Sequence, residues 1–382
     1  MPVYLDCAAT TPVDPRVRSE MLRFLEDEFG NAGSRTHAWG QRARAAVEQA
    51  RDRVAAVVGA RRGDVIFTSG ATESDNLAIL GLATVDPHRR HLVSTAIEHA
   101  AVLEPLAELA RRGFEVTLVT PDAAGVVDAD AVAQAVRPDT LLVSVMHVNN
   151  ETGVVQPVGP IADRLARSDA YLHVDAAQSF ARDGDVLRHP RIDLISASAH
   201  KVHGPKGVGA LITRRRDQAH PPLQPLMFGG GQERGLRPGT MPVHLVVGFG
   251  LAAELAMVER DSRTAQCARF REALMTGLAP LGPIVNGDPV RAVPYIVNLS
   301  FPGLEAEVLI DAWGELVAIS NGAACSSSRY TCSHVLSAMG VPASRMDGAV
   351  RLSWSAATLE PDWPAMVAAV EPLRMLQKAG EI

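Results

Sequence analysis

Residues 171–178 read Tyr-Leu-His-Val-Asp-Ala-Ala-Gln, and residues 194–201 read Leu-Ile-Ser-Ala-Ser-Ala-His-Lys. Each segment is a short, largely apolar run that ends on polar or charged side chains. Such runs are typical of parallel strands that are buried on both faces of a sheet. The two segments therefore predict two strands of a parallel sheet, with Asp175 at the end of one and Lys201 just past the end of the other.

The rest of the first two thirds of the chain repeats this pattern. Short β-rich runs alternate with Ala-rich stretches such as 40–58, 101–112 and 161–167, which predict helices. The pattern predicts an α/β fold with a mostly parallel sheet of about seven strands. The predicted strands are 65–68, 91–95, 115–119, 141–147, 171–175, 194–198 and 208–213.

The last third of the chain has a different organisation. After a long helical stretch at 243–281, strands at 295–301, 316–320 and 350–353 mix with helices at 305–313 and 361–376. We expect a large α/β domain of residues 15–255 and a smaller α+β domain formed by residues 1–14 and 256–382.

Composition limits the classes of function. The chain has 382 residues, 47% of them hydrophobic and 21% charged, so it can bury a large core. Its 37 basic and 43 acidic residues give a net charge of −6 with no basic block, which argues against direct binding of nucleic acid.

The four cysteines are widely spread, so they indicate neither a disulfide-rich secreted scaffold nor a zinc ribbon. The N-terminus does not resemble a signal peptide, and the most apolar run, 243–258, is interrupted by His244 and Glu254. We expect a cytoplasmic protein with no membrane span.

A turn that could bind an anion follows the first predicted strand. In Ser69-Gly70-Ala71-Thr72-Glu73-Ser74, a glycine and small hydroxyl residues precede a helix, so free backbone N–H groups and the Thr72 hydroxyl can surround a phosphate. A simple helix cap explains the same residues equally well. The Walker pattern with its lysine is absent, which argues against hydrolysis of nucleoside triphosphates.

Two charged residues add to this turn. Asp175 closes an apolar strand, where a carboxylate needs a cation or hydrogen-bond donors. Lys201 is one of only three lysines, with Lys206 and Lys378, and a buried lysine can become a nucleophile toward carbonyls. A phosphate cradle, a carboxylate for the pyridine nitrogen and a lysine for the aldehyde are what pyridoxal 5'-phosphate requires.

Five segments resemble the cysteine desulfurases, which are fold-type I, class V pyridoxal-phosphate enzymes. The resemblance extends from Tyr4 to about Leu376. The segments are Tyr4-Leu5-Asp6, residues 67–76 (Phe-Thr-Ser-Gly-Ala-Thr-Glu-Ser-Asp-Asn), residues 146–153 (Met-His-Val-Asn-Asn-Glu-Thr-Gly), residues 173–178 and His200-Lys201.

The resemblance implies a role for each matching residue. Lys201 would hold the cofactor aldehyde and remove the substrate Cα proton, and His99 would stack on the ring and move protons. Asp175 would pair with the ring nitrogen and Gln178 with the phenolic oxygen. The implied phosphate-binding residues are Thr72, Ser198, His200 and Thr240, the last from the partner subunit of a homodimer, and Ala71 is a further cofactor-binding residue. Asn149 and Arg351 would hold the substrate carboxylate.

The same family carries sulfur as a persulfide on a cysteine. Cys325 lies in a stretch of small residues, 320–328, that resembles the persulfide loop of the longer-loop branch. Cys7 and Cys267 are interpreted as structural. Cys325, Cys332 and His334 would supply only three ligands, so no metal site is predicted. For Cys332, a regulatory disulfide or a role as a second persulfide carrier stays open.

The predicted function is therefore conversion of L-cysteine to L-alanine, with sulfur passed from Cys325 to an acceptor protein. The acceptor pathway stays open among iron–sulfur cluster assembly, tRNA thiolation and DNA phosphorothioation. Three alternatives remain: a selenocysteine lyase, a small-amino-acid aminotransferase on the same cofactor, and a non-catalytic scaffold for sulfur carriers.

Overall fold

The computed structural model describes residues 1–321 and 332–378. Cys325 and the rest of its loop up to residue 331 lie outside the described residues. Within them, the strands are β1 (Val3–Tyr4), β2 (Val65–Thr68), β3 (His91–Thr95), β4 (Glu115–Val119), β5 (Thr140–Met146), β6 (Tyr171–Asp175), β7 (Leu194–Ser198), β8 (Gly209–Thr213), β9 (Ile284–Asn286), β10 (Ile296–Ser300), β11 (Val317–Ala318) and β12 (Ala349–Ser353).

Most helices fall where the Ala-rich stretches predict them. Helix α2, for example, is ended by Gly59 in the left-handed conformation, a common helix stop. The helices are α1 (Pro15–Glu26), α2 (Ala38–Val58), α3 (Ala71–Leu82), α4 (Ala100–Arg111), α5 (Ala129–Ala135), α6 (Val158–Arg164), α7 (Val243–Val258), α8 (Arg260–Leu278), α9 (Ala306–Trp313), α10 (His334–Ala338), α11 (Ala343–Met346) and α12 (Trp363–Lys378).

The main sheet has seven strands in the order β2-β8-β7-β6-β5-β3-β4. Strands β3 to β7 pair in parallel, while β8 is antiparallel to both of its neighbours. All seven predicted strands are present, and their ends shift by at most one residue. The α/β class with a mostly parallel seven-stranded sheet is confirmed. Because β5, β6 and β7 are parallel neighbours, their carboxyl ends meet at one edge.

The C-terminal third forms a three-stranded antiparallel sheet in the order β12-β10-β9. The predicted strand at 316–320 is only the two-residue β11, which pairs in parallel with β1 at the N-terminus. No strand is predicted at residues 3–4, because two residues are too few to show a periodicity.

The neighbouring helices α7 and α8 contribute to different apolar clusters. Helix α7 packs on α1 and α2 and contributes Val246, Phe249 and Ala253 to the core of the main sheet. Helix α8 contributes Phe270 and Leu274 to a cluster that also contains Leu5 and Ala8. On this basis we propose the same division, 15–255 against 1–14 with 256–382.

No helix in the described part of the chain is long and apolar enough to cross a membrane. The apolar helix α7 is instead covered by α1 and α2.

Candidate active site

A cavity of about 570 Å³ opens beyond the carboxyl ends of β6 and β7, where an open α/β sheet usually binds its ligand. It brings together most of the residues that the sequence singles out. The predicted site residues along its wall are Ala71, Thr72, His99, Asp175, Gln178, Ser198, His200 and Lys201. Lys206 also lies on this wall.

One end of the cavity is formed by the first turn of α3. Gly70 leads from β2 into the helix, so the N–H groups of the first turn face the cavity near Ser198. The Ser198 hydroxyl oxygen is buried and has no hydrogen-bond partner among the described residues. An anion at the helix N-terminus would supply that partner.

Gly209 allows the turn to sit this close to the sheet. A Cβ at Gly209 would lie 2.6 Å from the Cα of Gly70 and 2.5 Å from the carbonyl oxygen of Ala197. Any larger residue would therefore displace the turn. The sequence gives no local signal for this contact, because Gly70 precedes α3 and Gly209 begins β8, far along the chain.

His200 stands beside this end of the cavity. Its Nδ1 lies 3.2 Å from the Thr10 hydroxyl oxygen. Burial, followed by the positive charges of Lys201 and Lys206, lowers the pKa of His200 to about 4. The imidazole is therefore neutral at physiological pH and can donate one hydrogen bond to an anion.

Lys201 projects from a short 3-10 turn, Ala199–Lys201, that follows β7. Its Nζ donates hydrogen bonds to the backbone carbonyl oxygens of Ala8 and Ala9, the latter at 3.0 Å. These contacts hold the amine at the cavity wall. The Lys201 carbonyl in turn accepts a hydrogen bond of 3.4 Å from Arg182.

The N-terminal segment 6–11, which we call the N-terminal strap, crosses the site and was missed as a group by sequence reasoning. Besides the carbonyls that bind Lys201, its Ala8 carbonyl accepts a hydrogen bond from Gln178 Nε2 at 2.9 Å, and Thr11 N–H bonds the His200 carbonyl. The only sequence signal was the Tyr4-Leu5-Asp6 match. The carbonyls themselves belong to alanines, whose side chains indicate nothing about ligand binding.

Asp175 ends β6 with one carboxylate oxygen accepting a 2.8 Å hydrogen bond from the N–H of Ala177. Burial, and then the nearby Asp75 carboxyl, raise the pKa of Asp175. A buried carboxylate of this kind favours a cationic partner in the cavity, since pairing removes much of the cost of burial.

His99 is the N-cap of α4, and its Nδ1 accepts a 3.0 Å hydrogen bond from Ala101 N–H. This bond assigns the ring proton of the neutral form to Nε2. Burial lowers the pKa of His99, and Asp175 opposes that shift in part. His99 thus presents a neutral ring to the cavity.

The two residues expected to hold the substrate carboxylate lie outside the cavity wall. The Asn149 side chain donates to the Ile97 carbonyl at 3.0 Å and accepts from the N–H groups of Glu151 and Thr152, both at 2.9 Å. Asn149 therefore shapes the 149–153 turn. Arg351 is 1% exposed and binds Asp6 and the Asn150 carbonyl.

The remaining cysteines differ in environment. Cys7 and Cys267 are buried, and burial raises the pKa of both thiols, that of Cys7 to about 11. Cys332 is exposed, next to Ser333, which donates a 2.5 Å hydrogen bond to Glu151. Thr240 is exposed and does not line this cavity.

These residues fit pyridoxal phosphate. The unpartnered Ser198 hydroxyl and the helix N-terminus suit the phosphate, Lys201 suits the aldehyde, and Asp175 suits a protonated ring nitrogen. Gln178 keeps its Oε1 buried without a hydrogen-bond partner in residues 1–321 and 332–378. That orphaned atom and the Ser198 hydroxyl are the marks of a site shaped for a polar ligand.

Comparison with known proteins agrees with this geometry. Residues 3–362 match the family model described as aminotransferase class-V. The chain is 43% identical over 364 residues to cysteine desulfurase IscS of Salmonella arizonae, covering 94% of this chain and 89% of the relative.

Two solved structures share the fold along nearly their whole length. DndA from Streptomyces lividans is 49% identical with a TM-score of 0.81, covering 92% of this chain and 99% of its own. A structure described as SspA in complex with cysteine is 36% identical with a TM-score of 0.82. The match covers 94% of this chain and 100% of the SspA chain. The chain therefore belongs to the aminotransferase class-V family, in its pyridoxal-phosphate-dependent cysteine desulfurase branch.

Proposed function

We propose that this cavity converts L-cysteine to L-alanine and that the sulfur leaves as a persulfide on Cys325. One observation carries the proposal: Lys201, Asp175 and the α3 N-terminus converge on a single cavity of about 570 Å³. The cysteine bound to SspA supports cysteine as the substrate, because that relative shares 36% of its sequence with this chain.

When bound, pyridoxal phosphate supplies an electron sink that acidifies the Cα proton of an amino acid. Thr72, Ser198 and His200 would hold its phosphate together with Thr240 from a partner subunit, and Ala71 would line the same end of the site. Asp175 would keep its ring nitrogen protonated, His99 would lie against the ring, and Gln178 would bind the phenolic oxygen.

Lys201 is the residue that would hold the cofactor aldehyde, and its amine would remove the substrate Cα proton. The Ala8 and Ala9 carbonyls support this role, since they accept hydrogen bonds from Nζ and hold it at the cavity wall. His99 takes part in proton transfer, for which its lowered pKa suits it, since a neutral imidazole can accept a proton.

The Cys325 thiolate attacks the substrate sulfur, and an S–S bond forms as the C–S bond breaks. The electron pair of the broken bond stays with Cβ, which takes up a proton, and Cα regains the proton that Lys201 removed, so that the product leaves as L-alanine. The persulfide then transfers its outer sulfur to an acceptor protein. Neither Cys7 nor Cys267 suits this step, because burial raises the pKa of both thiols.

Arg351, with Asn149, holds the substrate carboxylate. A guanidinium matches a carboxylate in a bidentate way. For Arg351 to do this, its contact with Asp6 must open or be shared, so we expect substrate binding to move the N-terminal strap.

We further propose a cytoplasmic homodimer whose acceptor belongs to iron–sulfur cluster assembly, tRNA thiolation or DNA phosphorothioation, with no direct binding of nucleic acid. Large apolar side chains near Thr240 support the dimer. Phe228 is 89% exposed, and Leu226 and Met227 beside it are more than 40% exposed. Burying this patch would bring Thr240 toward a second copy.

The test follows the visible absorbance of purified protein while alanine and sulfide are assayed with L-cysteine and a reductant. Wild type, Cys325→Ala and the matched control Cys332→Ala are compared. We expect a visible band in all three, with equal alanine and sulfide in wild type and the control and neither product from Cys325→Ala. If Cys325→Ala still forms both products, the selenocysteine lyase alternative is favoured. If the variant transaminates instead, the aminotransferase alternative is favoured. If no protein shows the visible band, the non-catalytic scaffold is favoured.

A further inference from the structure

A second carboxyl lies beside Asp175 on the cavity wall and has no part in the proposed reaction. Asp75 is fully buried, yet it belongs to the lining of the cavity. Neither of its carboxyl oxygens has a hydrogen-bond partner in the described part of the chain. A buried carboxyl without donors is costly as an anion, so its presence at a ligand site calls for a reason.

The fold places Asp75 close to the cofactor site. It lies on α3 four residues after Ala71 and three after Thr72, and residues at this spacing share one face of a helix. Helix α3 packs on β6 and β7. The same helix face that forms the phosphate end of the cavity therefore brings Asp75 over the strand that carries Asp175.

The strand supplies a third titratable group. His173 and Asp175 are two residues apart on β6, so their side chains leave the same face of the sheet. The His173 Nε2 lies 3.5 Å from Asp75 Oδ1. Its ring nitrogens also contact the hydroxyls of Ser144 at 2.8 Å and Ser196 at 2.9 Å.

His173 does not neutralise the two carboxyls. Complete burial lowers its pKa to about 4, so the ring is neutral at physiological pH. Asp75 and Asp175 line the same cavity, where the charge of one carboxylate makes ionisation of the other less favourable. The two carboxyls therefore lose their protons one after the other as the pH rises.

Hydrogen bonding decides which carboxyl loses its proton first. Asp175 accepts a hydrogen bond from Ala177 N–H, which stabilises its anion. No backbone N–H donates to Asp75, and burial raises its pKa to about 7, an effect that the Ser196 hydroxyl offsets in part. As the pH rises, Asp175 therefore loses its proton before Asp75 does.

We propose that Asp75 is a positioning residue of the ring-nitrogen site, which keeps its proton to a higher pH than Asp175, so that near neutral pH the negative charge lies mainly on Asp175. The inference rests on the proposed pairing of Asp175 with the ring nitrogen. As the pH rises, ionisation of Asp75 adds a second negative charge that stabilises cationic forms of the bound cofactor. The other titratable groups facing this layer are Glu98, His99, His200 and Lys201.

The first test looks for the proton directly. Infrared spectra of apoenzyme and holoenzyme with isotope-labelled aspartate are compared at pH 7 for wild type, Asp75→Asn and the control Asp86→Asn, a surface position just beyond α3. We expect a protonated-carboxyl band in wild type and Asp86→Asn that Asp75→Asn lacks. Absence of this band from wild type, or its persistence in Asp75→Asn, overturns the proposal.

The second test measures the pH at which the visible band of lysine-bound cofactor changes. Because Asp75→Asn cannot ionise, we expect its transition about half a pH unit or more below that of wild type and Asp86→Asn. If the band appears in all three proteins and changes at the same pH in each, the cofactor has bound but the proposal for Asp75 is overturned. If the wild-type protein never develops the band, the proposed function is contradicted instead. The infrared spectra of the apoenzyme then still show whether Asp75 carries a proton.

Discussion

The Asp6 carboxylate lies 2.8 Å from Nη2 of Arg351, and the two side chains join the N-terminal strap to β12. The Arg351 side chain is 2% exposed and that of Asp6 is 21% exposed. The Nε of Arg351 is buried without a partner in the described residues, while Nη1 donates to the Asn150 carbonyl. Asp6 thus occupies the guanidinium in the absence of a substrate carboxylate.

Replacing Asp6 with Asn should leave the buried Arg351 cation without a carboxylate. We expect the free energy of unfolding to fall by about 3 kcal/mol, as when one partner of a buried ion pair is removed. Chemical denaturation of the apoenzyme measures it. Asp52→Asn is the control, because its partner Arg62 lies at the surface, where solvent screens the pair, so a much smaller loss of stability is expected.

If Arg351 also receives the substrate carboxylate, a small carboxylate ligand should stabilise Asp6→Asn more than wild type. Equal stabilisation of both proteins would contradict the proposed role of Arg351.

Lys201→Ala should abolish the visible band and lower the rate of alanine formation at least about a thousandfold, because it removes both the aldehyde-binding amine and the base. Lys206→Ala provides a matched control at the rim of the same cavity. We expect that variant to keep the band. A Lys201→Ala protein that retains near wild-type turnover would mean that another group removes the proton.

Gly209→Ala should weaken cofactor binding, because its methyl group would lie 2.6 Å from the Gly70 Cα and push the phosphate-binding turn outward. We expect the affinity for pyridoxal phosphate to fall by about tenfold or more, in line with the cost of overpacking. Absorbance titration of the apoenzyme gives the value. In the control Gly63→Ala the nearest atom is 3.9 Å from the new methyl, so unchanged affinity is expected there.

Glu98 should make stability depend on pH. Burial raises the pKa of Glu98 to about 8, although Thr95 and the Met146 N–H bond one of its oxygens. The folded protein thus binds this proton more tightly than the unfolded chain. The stabilisation is complete below about pH 4.5 and is lost as the pH rises through about 8.

Glu98→Gln keeps the neutral shape and cannot ionise. Denaturation curves at pH 6 and pH 9 should show that the variant loses less stability than wild type over this interval, by roughly 2 kcal/mol. Parallel pH profiles for the two proteins would show that Glu98 is ionised throughout.

The sequence by itself determined the sheet and most of the site. Apolar runs of four to seven residues give a clear strand signal, and the polar residues after β2, β6 and β7 lie at one edge because parallel strands end together. The positions of Thr72, Asp175 and Lys201 could therefore be predicted from local patterns and chain order. The resemblance to a known family added His99, Gln178 and Ser198.

Only the tertiary structure decided the contacts between distant segments. The strap carbonyls that bind Lys201, the close approach of Gly209 to Gly70 and the Asp6 to Arg351 pair each join residues more than one hundred positions apart. Such contacts leave no periodic signal, since backbone carbonyls and glycines are alike everywhere along a chain. Asp75 is a further case, because only the packing of α3 on β6 brings its carboxyl to the same cavity as Asp175. There the charge of one carboxyl raises the pKa of the other.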